Sequence, residues 1–244
     1  HRLEKGNYIR ALCLIGLDDI VREAGGDLAG VMVDVGLDPA TLRDVDRLIA
    51  FRAFIALMEK CAADFGLTNL GLDWSARMGP TYPNTGPVLA LSHFSQSGRD
   101  WLAEVQAYWA YHTNATAFEV IEDVEPGVSA FREKNYFLGV KSRQYSENMI
   151  ANMTAIAKLG LGCPDENPIA IRFSHGRPRD IARHAELFQC PVEFECEHDE
   201  ILFRTELLNN RTGGALSPIR PLVRRYVQSR IDRMEFYDVG VATN

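Results

Sequence analysis

The chain has 244 residues, 46% hydrophobic and 24% charged, with a net charge of −7 at pH 7. This acidic balance gives no bulk attraction to phosphate, so we do not expect this stretch of chain to bind DNA directly. No apolar run reaches the roughly 20 residues that a membrane-spanning helix needs, and no signal-peptide pattern is present. We therefore expect a globular, cytoplasmic protein.

The first third of the chain is predicted to form short helices separated by glycine and proline. Asp27 is placed to cap one helix, and Asp38 followed by Pro39 opens another in the order typical of helix starts. Asp46 precedes a stronger helix, which ends at Gly66. One face of that helix carries Phe54, Leu57, Met58, Cys61 and Phe65.

The helical pattern continues over residues 69–78, and residues 79–86 contain several glycine and proline breakers. We predict that this breaker-rich stretch is a hinge loop. Helical spacing returns over residues 98–112. One face of this helix carries Trp101, Val105, Tyr108 and His112.

The second half of the chain is predicted to form elements in the order β-β-α-β-α-β-β. The corresponding segments are 117–121, 128–133, a helix around 145–156, 169–174, 179–188, 192–196 and 201–205. Two pairs of consecutive strands favour an α+β fold over a doubly wound parallel sheet. We predict one domain over residues 1–215, with a helical layer over 8–112 and an antiparallel or mixed sheet part over 113–215.

The last segment, residues 218–234, has the pattern of a basic amphipathic helix. Its apolar stripe is our predicted dimer interface, and it consists of Ile219, Leu222, Val223, Tyr226, Val227 and Met234. We expect residues 216–244 to act as a linker.

The common catalytic and cofactor motifs are absent from the chain. No GxSxG elbow, no GxGxxG or GxxxxGK[ST] loop and no HExxH pair occurs. The five cysteines form no CxxC pair, and the six histidines show no mutual spacing of four. We therefore predict no enzyme activity, no metal site and no cofactor, and we interpret the alternating acidic residues of 193–200 as a solvated strand face rather than a catalytic carboxylate pair.

Three features have both a functional and a structural interpretation. His112 is either a hydrogen-bonded core histidine or a ligand contact. Arg143 and Tyr145 could reach an acidic ligand, or could be an exposed arginine and a core tyrosine. Met149 and Met153 could form a pliable pocket wall, or could simply pack in the core.

Three blocks of the chain resemble the N-terminal sensor domain, often labelled arabinose-binding, of AraC-type transcription regulators. They are VGLDPATLRDVDRLIAFRAFIALMEKCAADFGLTNLGLDW, TGPVLALSHFSQSGRDWLAEVQAYWAYH and PIAIRFSHGRPRDIARHAELFQCPVEFECEHDEILFRTELL. The last block matches the family pattern at Pro168, Phe173, His175, Pro178, Phe188, Pro191 and Phe194. The resemblance covers about residues 10 to 210 in the right order.

This resemblance implies a small-molecule-responsive homodimer whose helix-turn-helix domain binds DNA and is missing from the chain. The family label does not identify the effector. We expect the pocket between the helical layer and the sheet to use Trp74, Tyr82, Trp101, Tyr108, His112, Arg143 and Tyr145. The alternative is a haem- or metal-based sensor built around His112, with His93 or His175 as the second ligand.

Overall fold

The computed structural model describes residues 6–79, 86–92, 94–136, 142–212 and 219–234. The first part of the chain is mostly helical, as predicted. Its helices are α1 (Leu17–Glu23), α2 (Leu28–Asp34), α3 (Phe51–Asp64), α4 (Leu70–Met78), α5 (Pro87–Ser92) and α6 (Gly98–Tyr108). Three 3-10 helices accompany them at Ala11–Leu14, Pro39–Arg43 and Trp109–Tyr111.

Two of the predicted helix caps are present. The Asp27 carboxylate accepts a hydrogen bond from the Ala29 N–H at 3.1 Å, and the Asp38 carboxylate accepts one from the Ala40 N–H at 2.9 Å. Each bond satisfies a backbone N–H that the first turn of a helix leaves unpaired. These helix starts are therefore confirmed.

The start predicted for α3 is wrong by several residues. The segment after Asp46 forms strand β2 (Leu48–Ala50), and α3 begins only at Phe51. Strand β2 pairs antiparallel with strand β1 (Tyr8–Arg10), which lies about forty residues earlier in the chain. Because this partner is remote in sequence, a local pattern does not reveal the strand.

The second half of the chain forms a five-stranded sheet with α-helices, and the protein is α+β as predicted. The strands are β3 (Thr116–Glu125), β4 (Val128–Asn135), β5 (Ala170–Arg172), β6 (Val192–Glu193) and β7 (Glu200–Arg204), and the helices are α7 (Arg143–Gly160) and α8 (Ala182–Phe188). The spatial order of the strands is β3-β4-β7-β5-β6, and only β5 and β6 run parallel.

The prediction that β6 and β7 form a second hairpin pair is wrong. Strand β5 lies between them and pairs antiparallel with β7 and parallel with β6. The Ile171 N–H donates to the Pro191 carbonyl and the Phe173 N–H donates to the Glu193 carbonyl. The backbone of the β6 segment is therefore hydrogen-bonded to the β5 segment. Strand order is a long-range property, and neighbouring strands in sequence do not always pair.

The interpretation of residues 193–200 as a solvated acidic face holds only in part. Glu193 is exposed, but Glu200 is buried and accepts hydrogen bonds from Arg132 at 2.8 Å and from Arg172 at 3.2 Å. Burial of a carboxylate is tolerated here because two guanidinium groups neutralise it.

Helix α7 is the central element, because it packs on α3, α4, α8 and β7. Its approach to α4 requires a glycine, since a Cβ atom on Gly71 would stand 2.2 Å from the Gln144 carbonyl oxygen. The Gln144 side chain accepts a hydrogen bond from the Gly71 N–H at 2.9 Å and donates one to the Thr68 carbonyl at 3.0 Å. Close contact and hydrogen bonds together attach α7 to the helical layer.

One continuous hydrophobic core contains residues of both the helical layer and the sheet part. The last described helix, α9 (Arg220–Met234), packs on α5 and on the 3-10 helix Trp109–Tyr111. Across the described part of the chain, no helix is both long enough and apolar enough to cross a bilayer.

Candidate functional site

A small interior cavity lies where the helical layer meets α7, and we call it the His112 cavity. Its polar lining consists of His112, Tyr145, Asn148 and Asn152. Its apolar lining consists of Ile9, Cys13, Phe54, Trp109, Met149 and Met153. The centres of water molecules can occupy about 10 Å³ of this cavity, which is room for about one water.

His112 is held at the end of the 3-10 helix by backbone bonds on both sides. Its N–H donates to the Trp109 carbonyl at 2.8 Å, and its own carbonyl accepts from the Arg10 N–H at 2.8 Å. Burial, assisted by the nearby Arg10 charge, lowers the pKa of His112 to about 3. The ring, which belongs to a residue only 3% exposed, is therefore neutral at ordinary pH. Its Nδ1 atom has no hydrogen-bond partner among the described residues.

The second uncommon feature of the cavity is a pair of buried asparagines one turn apart on α7. Asn148 Nδ2 donates to the Gly71 carbonyl at 3.0 Å, and Asn152 Nδ2 donates to Asn148 Oδ1 at 3.0 Å. Asn152 Oδ1 is left without a partner in the described part of the chain. Buried polar atoms are normally paired, so unpaired atoms on a cavity wall point to a bound water or ligand.

Tyr145 closes the wall of the cavity toward the sheet. Its hydroxyl donates to Glu133 Oε1 at 2.9 Å, and its ring packs edge-on against Phe51 with 5.1 Å between centroids. Burial, together with the Asp199 charge, raises the pKa of Glu133 to about 8. Burial also raises the pKa of Tyr145 well above its ordinary value. The pair is therefore a neutral, hydrogen-bonded part of the wall.

A second cavity of similar size adjoins the first, and we call it the Trp101 cavity. The centres of water molecules can occupy about 10 Å³ of it. Its lining residues are Val88, Leu89, Trp101, Val105, Trp109, Met153 and Ile156. Trp109 and Met153 line both cavities. These two residues therefore belong to the walls of both cavities.

The structure places three of the seven predicted pocket residues on cavity walls. His112 and Tyr145 line the first cavity, and Trp101 lines the second. The Met149 and Met153 pair lies on the wall of the His112 cavity, where the pliable-wall interpretation puts it. Their role as ligand contacts stays a prediction.

Three of the other predicted residues, Trp74, Tyr108 and Arg143, are not on these walls. Trp74 is buried and its indole N–H donates to the Ile15 carbonyl at 2.9 Å. Tyr108 packs on the cluster that anchors α9, and Arg143 donates to Glu147 Oε1 at 2.8 Å. Tyr82 lies outside the described residues.

Asn148 and Asn152 were not among the predicted site residues. Their spacing of four residues, next to Met149 and Met153, was the available signal, since it places two amides and two thioethers on adjoining stripes of one helix. Polar residues on a helix usually indicate its solvent face, and here tertiary packing buries them.

The haem or metal alternative gains no support from the geometry. The space beside His112 holds about one water, which is far less than a macrocycle needs. His175 instead lies with His184 against the buried Glu147 carboxylate, with Nε2 atoms 3.6 and 2.6 Å from its Oε1 atom. Among the described residues, no group of three or more metal-ligating side chains is suitably arranged, and His93 is outside them.

The predicted dimer interface on α9 is divided by the fold. Val227 is fully buried against Val88, Leu91 and Tyr111 of the same chain, and Val223 packs beside it. Val227 is therefore unavailable to a partner, because it completes a core within its own chain. Ile219, Leu222 and Tyr226 are exposed by 54%, 56% and 46%. The side chain of Met234 lies outside the described part.

Charge pairs attach α9 to α6. The buried Glu104 carboxylate accepts hydrogen bonds from Arg220 at 2.7 Å and from the Arg224 Nε atom at 2.8 Å. Arg220 also donates to Asp100 at 2.8 Å. Helix α6 therefore contacts the Trp101 cavity through Trp101 and Val105 and contacts α9 through its acidic residues.

The α+β fold and a small interior cavity with unpaired polar atoms on its lining residues are compatible with a ligand-binding domain. The chain itself belongs to the family described as the arabinose-binding domain of AraC transcription regulators, N-terminal, whose model matches residues 25–212. The resemblance identified in the sequence is thus confirmed.

Similar proteins include the HTH-type transcriptional regulator VirS of two strains of Mycobacterium tuberculosis. The identity is 24% over 193 residues, which is 79% of this chain and 56% of each relative. The chain thus spans about half the length of these curated relatives. A solved structure of the transcriptional regulator CdpR from Pseudomonas aeruginosa superposes with a TM-score of 0.49 at 13% identity, over 84% of this chain and 64% of that one.

Proposed function

We propose that this chain is the effector-sensing and dimerisation part of an AraC-type transcription regulator, whose DNA-binding domain lies outside these 244 residues. The family match and the partial coverage of HTH-type relatives support this assignment. Residues 1–215 form the sensing domain in this proposal, and residues 216–244 lead toward the DNA-binding part. A small molecule is the effector, and the assembly is a cytoplasmic homodimer.

The observation that carries the proposal is the pair of unpaired polar atoms on the wall of the His112 cavity. His112 Nδ1 and Asn152 Oδ1 are buried and have no partner in the described part of the chain. Each such atom would cost about 1–3 kcal/mol of desolvation if it stayed unpaired, so atoms of this kind are normally bonded to a water or to a ligand. We infer that the effector binds there.

A sensing role fits the chemistry of this cavity better than catalysis does. General acid-base catalysis favours pKa values near the working pH. Burial instead lowers the pKa of His112 to about 3 and raises that of Tyr145 well above its ordinary value. Both groups are suited to recognising a guest by hydrogen bonding.

Binding of an effector in the cavities can influence α9, because helices α5 and α6 each contact both the Trp101 cavity and α9. Val88 of α5 lines the Trp101 cavity and also packs against Val227 of α9. Trp101 and Glu104 of α6 similarly face the cavity and α9, respectively. A guest that shifts α5 or α6 would change how firmly α9 is held. Such coupling needs unequal affinity for two arrangements, typically about 1–3 kcal/mol.

The exposed face of α9 is the proposed contact between subunits. It offers Leu222 and Tyr226 beside Ile219, whereas Val227 stays in the core of its own chain. We expect Leu222→Asp to convert a dimer into monomers in sedimentation velocity, because it places a charge in an apolar contact. Val33→Asp, on α2 at a residue that is 63% exposed, is the matched control and should leave the dimer intact.

Two measurements test the regulatory assignment. The full-length reading frame should contain roughly 100 further residues with two helix-turn-helix patterns, and a frame without them would refute the proposal. A thermal-shift screen of small metabolites should find a compound that stabilises the chain, by about 2.7 kcal/mol at 100 times its Kd. The compound should lose its effect in the variant His112→Leu/Asn152→Leu and should alter DNA binding by the full-length protein.

A further inference from the structure

We propose that the His112 and Trp101 cavities are the two ends of one site, and that its ligand is an uncharged, elongated molecule. The ligand has an apolar body and a terminal group that both donates and accepts hydrogen bonds, such as an alcohol or a primary amide. This inference rests on the proposed sensing function and specifies the chemical class of the effector.

The wall between the cavities contains one fixed and one movable side chain. Trp109 is fixed, because its indole N–H donates to Thr116 Oγ1 at 3.2 Å and its ring packs edge-on against Phe118 at 5.0 Å between centroids. Met153 is unbranched and has three rotatable side-chain bonds, so it adapts its shape at small cost. A change of the Met153 rotamer would join the two spaces, and because each now holds about one water, binding of the ligand also requires the surrounding helices to move apart.

The polar end of the joined site has a defined donor and acceptor pattern. The Gly71 carbonyl can only accept, so Asn148 must present Nδ2 to it and Oδ1 to Asn152. Asn152 must then donate through Nδ2, which leaves its Oδ1 as a buried acceptor without a partner on a residue that lines the cavity. The neutral His112 ring carries one donor and one acceptor nitrogen. A hydroxyl or primary amide satisfies Asn152 and His112 together.

The site offers no charge to pair with an ionised ligand. Apart from His112, whose ring is neutral, none of the described residues that line either cavity is acidic or basic. The nearby Arg10 guanidinium is already bonded to the Tyr111 carbonyl at 2.9 Å and to the Asp46 carbonyl at 2.7 Å. A carboxylate or an ammonium group would lose its hydration without gaining a partner, which is strongly unfavourable.

The other end of the site is apolar apart from one indole group. Leu89, Val105 and Ile156 line it, and the N–H of Trp101 has no acceptor among the described residues. This end therefore fits a hydrocarbon or aromatic body. The Trp101 N–H could also donate a hydrogen bond to a ketone or ether oxygen of the ligand. A polar end and a mainly apolar end select for a ligand with one polar terminus and an apolar body.

Four probes that share one hydrocarbon frame test the claim that the ligand is uncharged. They are 3-phenyl-1-propanol, propylbenzene, 3-phenylpropanoate and 3-phenylpropylammonium. Their affinities for the whole chain are measured by calorimetry, on the wild type, on Met153→Ala, which joins the cavities, and on Met32→Ala. The last variant is the matched control, since it shortens a buried methionine on α2 that lines neither cavity. Met153→Val, with a smaller loss of side chain, is used if Met153→Ala does not fold.

We expect the alcohol to bind Met153→Ala at least about tenfold more tightly than it binds the wild type or Met32→Ala. The alcohol should bind Met153→Ala more tightly than propylbenzene does. Adding Asn152→Leu to Met153→Ala should remove that difference in affinity. If the carboxylate or the ammonium probe bound as tightly as the alcohol or more tightly, the ligand would not be restricted to uncharged molecules, but the proposal that effectors bind at this site would stand. Failure of all four probes on both Met153 variants would overturn the joined site and would withdraw the cavities as support for the proposed function.

Discussion

Helices α7 and α9 carry similar mixtures of polar and apolar residues, yet the fold uses them in opposite ways. Helix α7 is buried along most of its length, and its amides bind the backbone of α4. Helix α9 keeps most of its surface in solvent and is held by Val227 and by charge pairs to Glu104. Buried amide contacts with backbone make a rigid support, whereas the ion pairs of the buried Glu104 involve arginines that are 16% and 43% exposed and are partly screened by solvent. The molecule thus combines a cavity wall supported by buried contacts with a last described helix that has fewer of them.

The largest effect is expected from disturbing the attachment of α7. Gly71→Ala would place a Cβ atom 2.2 Å from the Gln144 carbonyl oxygen, which is backbone and cannot turn aside. We expect a loss of about 4 kcal/mol in the free energy of unfolding, measured by urea denaturation. Gly176→Ala, where a Cβ atom meets nothing within 4 Å, is the control and should change little. Equal stabilities of the two variants would show that α4 and α7 are not packed this closely.

A pH-dependent effect of intermediate size is expected where α7 meets the sheet. Because the pKa of Glu133 is raised from 4.5 to about 8 in the folded protein, only the unfolded chain loses this proton between those values. The unfolded state then binds fewer protons, so stability falls as pH rises through this window and is constant above it.

Glu133→Gln removes this titration and should flatten the pH profile. Between pH 5 and pH 9, the free energy of unfolding of the variant should rise relative to that of the wild type by on the order of 2 kcal/mol, as measured by urea denaturation. Glu197→Gln, on a fully solvated side chain, is the matched control. A wild-type slope retained in Glu133→Gln would mean that this carboxyl is not buried with Tyr145.

The smallest effect is expected at α9. Glu104→Gln removes the charge that Arg220 and Arg224 share, and should cost about 1 kcal/mol overall because both arginines are partly solvated. Amide hydrogen exchange should quicken in α9 and remain unchanged in α7. Glu206→Gln, which weakens a surface pair with Arg204, should alter neither helix. Equal acceleration in both helices would remove the distinction between a fixed and a movable element.

Much of the fold could be predicted, because many of its signals are local. Asp27 and Asp38 cap helices two residues away, and the hairpin of β3 and β4 turns at Gly127, where φ is +75°. Local bonds of this kind depend on a few neighbouring residues, so their pattern is visible in sequence. The place of β6 beside β5 was not visible, since remote segments decide it.

The candidate site was predicted only in part for the same reason. His112, Tyr145 and Trp101 were selected as amphipathic aromatic groups on helices, and the structure brings them to adjoining cavities. Asn148 and Asn152 were missed, because an amide on a helix is usually solvated and only the approach of α4 buries it.

The sequence by itself determined the α+β class, the family and the positions of most helices, because periodicity and capping act over a few residues. Tertiary structure alone decided the order of the strands, the division of the α9 stripe between core and surface, and the placement of His112 and Asn152 on one cavity. Each of these depends on segments far apart in the chain, whose pairing is selected by packing and hydrogen bonding over the whole domain.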